Sequence, residues 1–378
     1  MASVRIAGGY GVRSVAAMSL KLEGVTKRVG PETHLQDIDL DIAPGSLTVL
    51  LGPTLAGKTS LMRLMAGLDR PTAGRVLVDG ADVTGQSVKR RDVAMVYQQF
   101  INYPSFTVYE NIASPLRRAG LPRDEIDRRV RSVAELLHID GLLDRLPAAL
   151  SGGQQQRTAL ARGLVKEAGL LLLDEPLVNL DYKLREELRE ELLSIFAERK
   201  SIVVYATTEP LEALMLGGNV VVLDEGRVLQ QGPTIDVYTR PASIRIGGIF
   251  SDPPINLIDG AVEGDRLLLG DAVAGPRSAH LGAVAQGRYR FGVRSNALYV
   301  ARHAATDLEI GGTVELAEIS GLETFIHVAH NGVSWVAQEE GIHSFALGDQ
   351  ISIYLDPAAL FVFDRQGGLV AAPPRQAA

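Results

Sequence analysis

The chain is predicted to be an α/β domain followed by an all-β, OB-like domain. Three observations carry that prediction. Apolar runs at Leu47 to Leu51, Ala94 to Tyr97, Leu170 to Leu173, Ile202 to Ala206 and Val220 to Leu223 alternate with helical patterns, the order of a sheet with helical crossovers. The first run enters Gly52-Pro53-Thr54-Leu55-Ala56-Gly57-Lys58-Thr59-Ser60, which matches G-x-x-x-x-G-K-[ST] and precedes the helix-like Leu61 to Ala66. After Gly232 come Pro241, Pro253 and Pro254, then short alternating strands at Tyr289 to Val293, Thr313 to Ala317, Phe325 to Val328 and Ile351 to Tyr354, the texture of a β-barrel-like domain. The predicted limits are 18–235 for the first domain, with a helical subdomain at about 100–160, and 236–378 for the second. Residues 1–17 read as a disordered or misassigned extension, with Met18 as an alternative start.

Taken in chain order, the strand-loop-helix at 47–66 points to a nucleoside triphosphate. A Gly-rich turn entering a helix aims backbone N–H groups and the positive dipole end at phosphates. Lys58 then reaches the β/γ-phosphates, and the Thr59 hydroxyl is a ligand for Mg²⁺. Between Asp124 and Leu146, Ile126, Val130, Val133, Leu136 and Leu137 recur at helical spacing and Pro147 follows, which predicts a small helical insert. Leu150-Ser151-Gly152-Gly153-Gln154-Gln155-Gln156-Arg157 precedes a helix, so Ser151 and the amides of Gly152 and Gly153 form a second anion site. Leu170 to Leu173 leads into Asp174-Glu175. Asp174 is placed to hold the Mg²⁺ shell, and Glu175 to orient or deprotonate the water that attacks the γ-phosphate. The charge-dense stretch from Leu184 to Lys200 reads as a solvated amphipathic helix without chemistry.

The phosphate loop, the Ser151 string and Leu170 to Glu175, in that order, resemble the signature of ATP-binding-cassette ATPases. The resemblance covers nearly the whole chain from Leu20 onward. It implies a head-to-tail dimer in which Ser151, Gly152, Gly153 and Gln154 of one subunit close over ATP held by the phosphate loop of another. It further implies that Gln98 senses Mg²⁺ and the attacking water, and that Asp181, in Asn179-Leu180-Asp181, signals across the dimer. Phe100 to Tyr109 resembles the surface that meets a membrane subunit. Three positions depart from the pattern. Thr208 stands where relatives carry the switch histidine, Val29 where an aromatic stacks on adenine, and Leu55 where the loop commonly has glycine. A threonine hydroxyl is shorter than an imidazole and carries no positive charge, so a weakened site is expected.

Within the family, the chain is similar to the ATPase subunits of bacterial carbohydrate and polyol importers. Ser251-Asp252-Pro253-Pro254-Ile255-Asn256, Gly292-Val293-Arg294 and Phe361-Val362-Phe363-Asp364 look like landmarks of their accessory β-domain, although Ser295-Asn296 departs from the usual pair. The 52–60, 97–104 and 207–210 segments resemble one ATPase of a glycerol importer that uses two different cassettes. That resemblance implies ATP and Mg²⁺, a second cassette and two transmembrane permease subunits as partners, indirectly a periplasmic binding protein, and a peripheral place on the cytoplasmic face of the inner membrane. The runner-up is a subunit that binds ATP without hydrolysing it and serves as a scaffold.

Composition excludes other classes. A net charge of −7 gives no electrostatic footprint for nucleic acid. The absence of cysteine removes disulfides and thiolate metal sites. No apolar run is long enough for a membrane-spanning helix.

Overall fold

The computed structural model describes residues 18–178, 180–270 and 273–375. The proposed extension, residues 1–17, lies outside them, as does Asn179. The chain divides into two compact units between Gln231 and Gly232.

The first unit begins with β1 (Leu20–Val29), β2 (Glu32–Ile42), β3 (Leu47–Leu51), α1 (Lys58–Ala66), β4 (Ala73–Val78), β5 (Ala81–Asp82) and β6 (Val93–Val96). Helices α2 (Val108–Arg118), α3 (Arg123–Leu136) and α4 (Gly152–Leu164) follow. Then come β7 (Leu170–Asp174), α5 (Tyr182–Glu198), β8 (Ile202–Thr207), α6 (Pro210–Leu216), β9 (Asn219–Asp224) and β10 (Arg227–Pro233). One sheet has the order β2-β1-β4-β5 and the other β10-β9-β3-β8-β7-β6. In the second, β3 pairs in parallel with β8 and β9, and β7 with β6 and β8. Every residue of β7 and β8 is buried. This is why they read as unbroken apolar runs rather than alternating ones. The carboxyl ends of β3, β6, β7 and β8 lie side by side, where open parallel sheets place their ligands.

The helical insert departs from a single run to Leu146. Helix α3 stops at Leu136 because His138 takes a left-handed conformation, φ 52°. The His138 N–H then meets the Glu135 carbonyl at 3.0 Å, and the Ile139 N–H meets that of Ala134 at 2.9 Å. These two bonds form a Schellman closure with histidine where glycine is usual. Ile126, Val130, Val133 and Leu137 are buried, as the spacing implied, and Leu136 is half-exposed. Helix α5 is less solvated than its charges suggest. Arg189 is 7% exposed and is held by the Glu186 carboxylate one turn before it.

Among its described residues the second unit has two short α-helices, α7 (Thr234–Thr239) and α8 (Ile244–Ile249), and is built mainly of β-strands. Its longest strands are Asn256–Glu263, Gly287–Val293, Leu308–Ile319, Glu323–His330, Val333–Glu340 and Gln350–Leu355. With five shorter strands they build a six-stranded and a five-stranded sheet around a core that includes Phe291, Trp335, Ile353 and Val362. The landmarks found in the sequence act here as fasteners. Arg294, 9% exposed, donates to the carbonyls of Phe250 at 2.9 Å and Tyr238 at 2.8 Å, with its guanidinium 3.8 Å from the Tyr238 ring centroid. The Asn256 side chain pairs with both backbone groups of Val336, at 2.9 and 2.7 Å. Asp364 accepts the N–H groups of Gln366 and Gly368 and closes the last turn.

Candidate functional site

The phosphate loop is shaped by close approach. A Cβ on Gly52 would fall 2.2 Å from the Leu223 carbonyl oxygen, so only glycine fits. Gly57, φ 102°, leads directly into α1. Leu61, Met62, Leu64 and Met65 anchor that helix in the core, and its N–H groups open toward the loop.

Lys58 is 5% exposed and folds back over the loop. Its Nζ donates to the carbonyls of Gly52 at 2.8 Å and Pro53 at 3.1 Å, and lies 3.5 Å from Glu175 Oε1. Burial lowers its pKa, and the Glu175 charge opposes that shift. Thr59 Oγ1 donates to Asp174 Oδ2 at 2.7 Å. Asp174 is 2% exposed, and burial raises its pKa against the Thr59 hydrogen bond. Glu175 leaves β7 at φ 46°, a left-handed conformation that costs an ordinary side chain about 1–2 kcal/mol. Its N–H bonds to the Ala206 carbonyl at 3.0 Å. Its Oε2 accepts from Gln98 Nε2 at 2.9 Å. Lys58, Thr59, Gln98, Asp174 and Glu175, drawn from three strand ends, thus form one connected cluster.

Ser151 to Gln154 and Asp181 stand apart from it. Ser151 caps α4 by accepting the Gln154 N–H at 3.3 Å, and the Gln154 side chain returns to the Ser151 N–H at 3.0 Å. This reciprocal box presents Gly152 and Gly153 in the first turn. Among the described residues no hydrogen bond joins 151–154 to 52–60. Asp181 caps α5 through the Leu184 N–H at 3.0 Å. Thr208 follows β8, whose register sets Thr207 beside Leu51. Val29, at the end of β1, is 49% exposed.

Leu55 is 95% exposed with φ 69°. It combines a left-handed backbone with a side chain that buries nothing. Leu55→Gly should therefore stabilise the protein by about 0.5–1 kcal/mol, the relieved strain less the extra freedom of glycine in the unfolded chain. Thermal denaturation checks this. An unchanged or lower Tm would mean that Leu55 gains contacts that compensate its backbone.

The segment after Gln98 carries exposed Ile101, Tyr103 and Phe106, with the two aromatic rings 5.4 Å apart. Sequence reasoning missed what holds it. Asn111, fully buried, accepts the Tyr103 N–H at 2.8 Å, and its Nδ2 lies within 3.1 Å of the carbonyls of Tyr103, Phe106 and Thr107. Arg162 of α4 donates to the Ile101 carbonyl and to Asn111 Oδ1, and lies over the Tyr103 ring. Asn102 donates to the Gln155 carbonyl of α4 at 2.8 Å. A buried asparagine inside an amphipathic helix was the available signal.

Residues 35–178 match the family model described as ABC transporter, and residues 291–363 match that of the TOBE domain. The chain is 35% identical to the "sn-glycerol-3-phosphate import ATP-binding protein UgpC" of Yersinia enterocolitica, over 93% of this chain and 98% of the relative. It is also 35% identical to the "Trehalose/maltose import ATP-binding protein MalK" of Thermococcus litoralis, over 92% of this chain and 98% of that one. A solved dimer of the ATP-binding cassette MJ0796, in a post-hydrolysis state bound to ADP and Pi, superposes with a TM-score of 0.53 at 29% identity. That match covers 57% of this chain and 98% of the cassette. With relatives matched almost end to end and a phosphate loop whose threonine and lysine already touch the Asp174 and Glu175 carboxylates, the chain belongs to the ABC transporter ATPase family, as an ATP-binding cassette followed by a TOBE domain.

Proposed function

We propose that this chain binds Mg-ATP and hydrolyses it to power a bacterial importer of a carbohydrate or polyol. The observation that carries this is the cluster of Lys58, Thr59, Gln98, Asp174 and Glu175. ATP would lie along Gly52 to Ser60, with Lys58 moving from the loop carbonyls to the phosphates. Thr59 and Asp174 supply hard oxygens 2.7 Å apart, a donor set suited to Mg²⁺, which keeps waters and phosphate oxygens as its other ligands. They would hold that ion with Gln98 beside it. The bound ion neutralises charge developing on the phosphates. Glu175 orients the attacking water and accepts its proton, and Gln98 fixes the carboxylate that does so.

Leu55, Thr208 and Val29 favour an asymmetric assembly. In this reading the chain pairs with a second, different cassette. Its capped Ser151-Gly152-Gly153-Gln154 segment serves the partner's phosphate loop, Asp181 lies at the same seam, and its own loop turns over slowly. The surface at Ile101, Tyr103 and Phe106 docks on a membrane permease, which places the chain at the cytoplasmic face of the inner membrane. Among the described residues no helix is long and apolar enough to cross a membrane. Glycerol is the substrate favoured by the loop motifs; the names of the relatives extend the class to glycerol phosphate and disaccharides. ATP hydrolysis measured with the purified chain alone, then with the second cassette, tests the asymmetry. Slow turnover alone and fast turnover together are expected; full activity alone would overturn it.

A further inference from the structure

The turn that carries Thr208 is fixed from behind by two side chains outside the 207–210 segment, Glu212 and Arg185. Tyr205 and Thr207 share one face of β8, and Glu212 of α6 lies against that face, 7% exposed. One carboxylate oxygen accepts the Tyr205 hydroxyl at 2.6 Å and the other accepts the Thr207 hydroxyl. Thr207 Oγ1 also accepts the Glu209 N–H at 3.0 Å. The direction of the relay is thereby set, from Glu209 N–H to Thr207 and from Thr207 to Glu212. Glu209 is tied on its other side, where Arg185 Nη1 donates to its two carboxylate oxygens at 2.9 and 3.0 Å. Thr208 sits between the two residues so held. A small cavity bounded by Glu175, Thr208, Arg185 and Glu212 connects this turn with the β7 carboxylate. Among the described residues the buried Nε of Arg185 has no partner.

We propose that Glu212 is a positioning residue: as a carboxylate it fixes Thr207, and through Thr207 and Glu209 it sets the orientation of Thr208 toward the γ-phosphate of ATP. The proposal rests on the hydrolysing reading of the site. A carboxylic acid at 212 would itself donate a proton. Thr207 would then receive two donors and its own proton would lose its acceptor. The groups facing Glu212 are Tyr205 from β8, Arg185 and Arg189 from α5, and Glu209 from the turn. Burial pushes Glu212 up from its ordinary value against the pull of the two hydroxyls. Tyr205 is pushed well above its own ordinary value by burial, so it stays a donor. The relay is therefore intact above the raised Glu212 value and is lost as pH falls through it.

In the assembled transporter with the second cassette's site disabled, Glu212→Gln should lower kcat for ATP about 10- to 100-fold through misplacement of the turn. The KM for ATP should stay unchanged, and the acid limb of the wild-type pH profile should lose the step that Glu212 contributes. An unchanged kcat, or a fall with an unaltered acid limb, would overturn the proposal. Infrared difference spectra of the purified chain give a readout without turnover. The band that acidification produces should contain a carboxylic-acid component that Glu212→Gln lacks; identical difference spectra for wild type and variant would also overturn the relay. If the wild-type assembly shows no hydrolysis, the hydrolysing reading fails and the infrared band decides the relay by itself.

Discussion

Glu175→Gln should cut ATP turnover at the chain's own loop, read in an assembly whose second cassette is disabled, by about 10²- to 10⁴-fold, the range for loss of a positioned general base, while ATP remains bound. The amide is nearly isosteric, so one oxygen still accepts from Gln98, whose Nε2 is 2.9 Å from the carboxylate. What disappears is the negative charge 3.5 Å from Lys58 Nζ and the capacity to take a proton from water. Binding depends on the loop amides and Lys58, which the substitution leaves in place. Turnover and nucleotide retention, measured together in the full complex, check this. Unchanged transport by the variant would favour the competing reading, in which this subunit binds ATP as a scaffold and the second cassette does all the hydrolysis.

Thr208→His should raise hydrolysis at the chain's own loop by roughly 10- to 100-fold. A preorganised donor at a developing oxyanion is typically worth about 10²- to 10³-fold, and part of that gain is lost because the loop still carries Leu55 at φ 69°. The turn is already built to present a side chain. Thr207 is locked by Glu212 and Glu209 by Arg185, and Thr208 itself is half-exposed rather than packed into the core. Single-turnover hydrolysis by an assembly in which the second cassette is disabled isolates the effect. A rate equal to that of the wild type would mean that histidine at this position does not reach the phosphate, and the weakness of the site would then have to come from the loop or from Val29.

The parts of the fold that were legible in sequence are those where one physical requirement governs a contiguous stretch. Strands β3, β7, β8 and β9 announce themselves because parallel strands covered on both faces must be apolar throughout. The phosphate loop does so because the approach of Gly52 to Leu223 forbids a side chain. The end of α3 at His138 was hidden because a left-handed histidine carries none of the compositional signal of glycine. Charge density in α5 suggested a solvated face, yet Arg185 and Arg189 are partnered by Glu209 and Glu186, and composition does not distinguish an ion pair from a hydrated charge. Asn111 and Glu212 were missed for a related reason. Their bonds go to neighbours a few residues away whose directions depend on helix and strand geometry, not on residue type.

The fastening of residues 101–106 has a mechanical consequence. Their backbone is tied to α4 by Asn102 and Arg162 and to α2 by Asn111, and α4 starts at Ser151. That helix therefore shares hydrogen bonds with the segment that carries the exposed aromatic pair, so a shift of one pulls directly on the other.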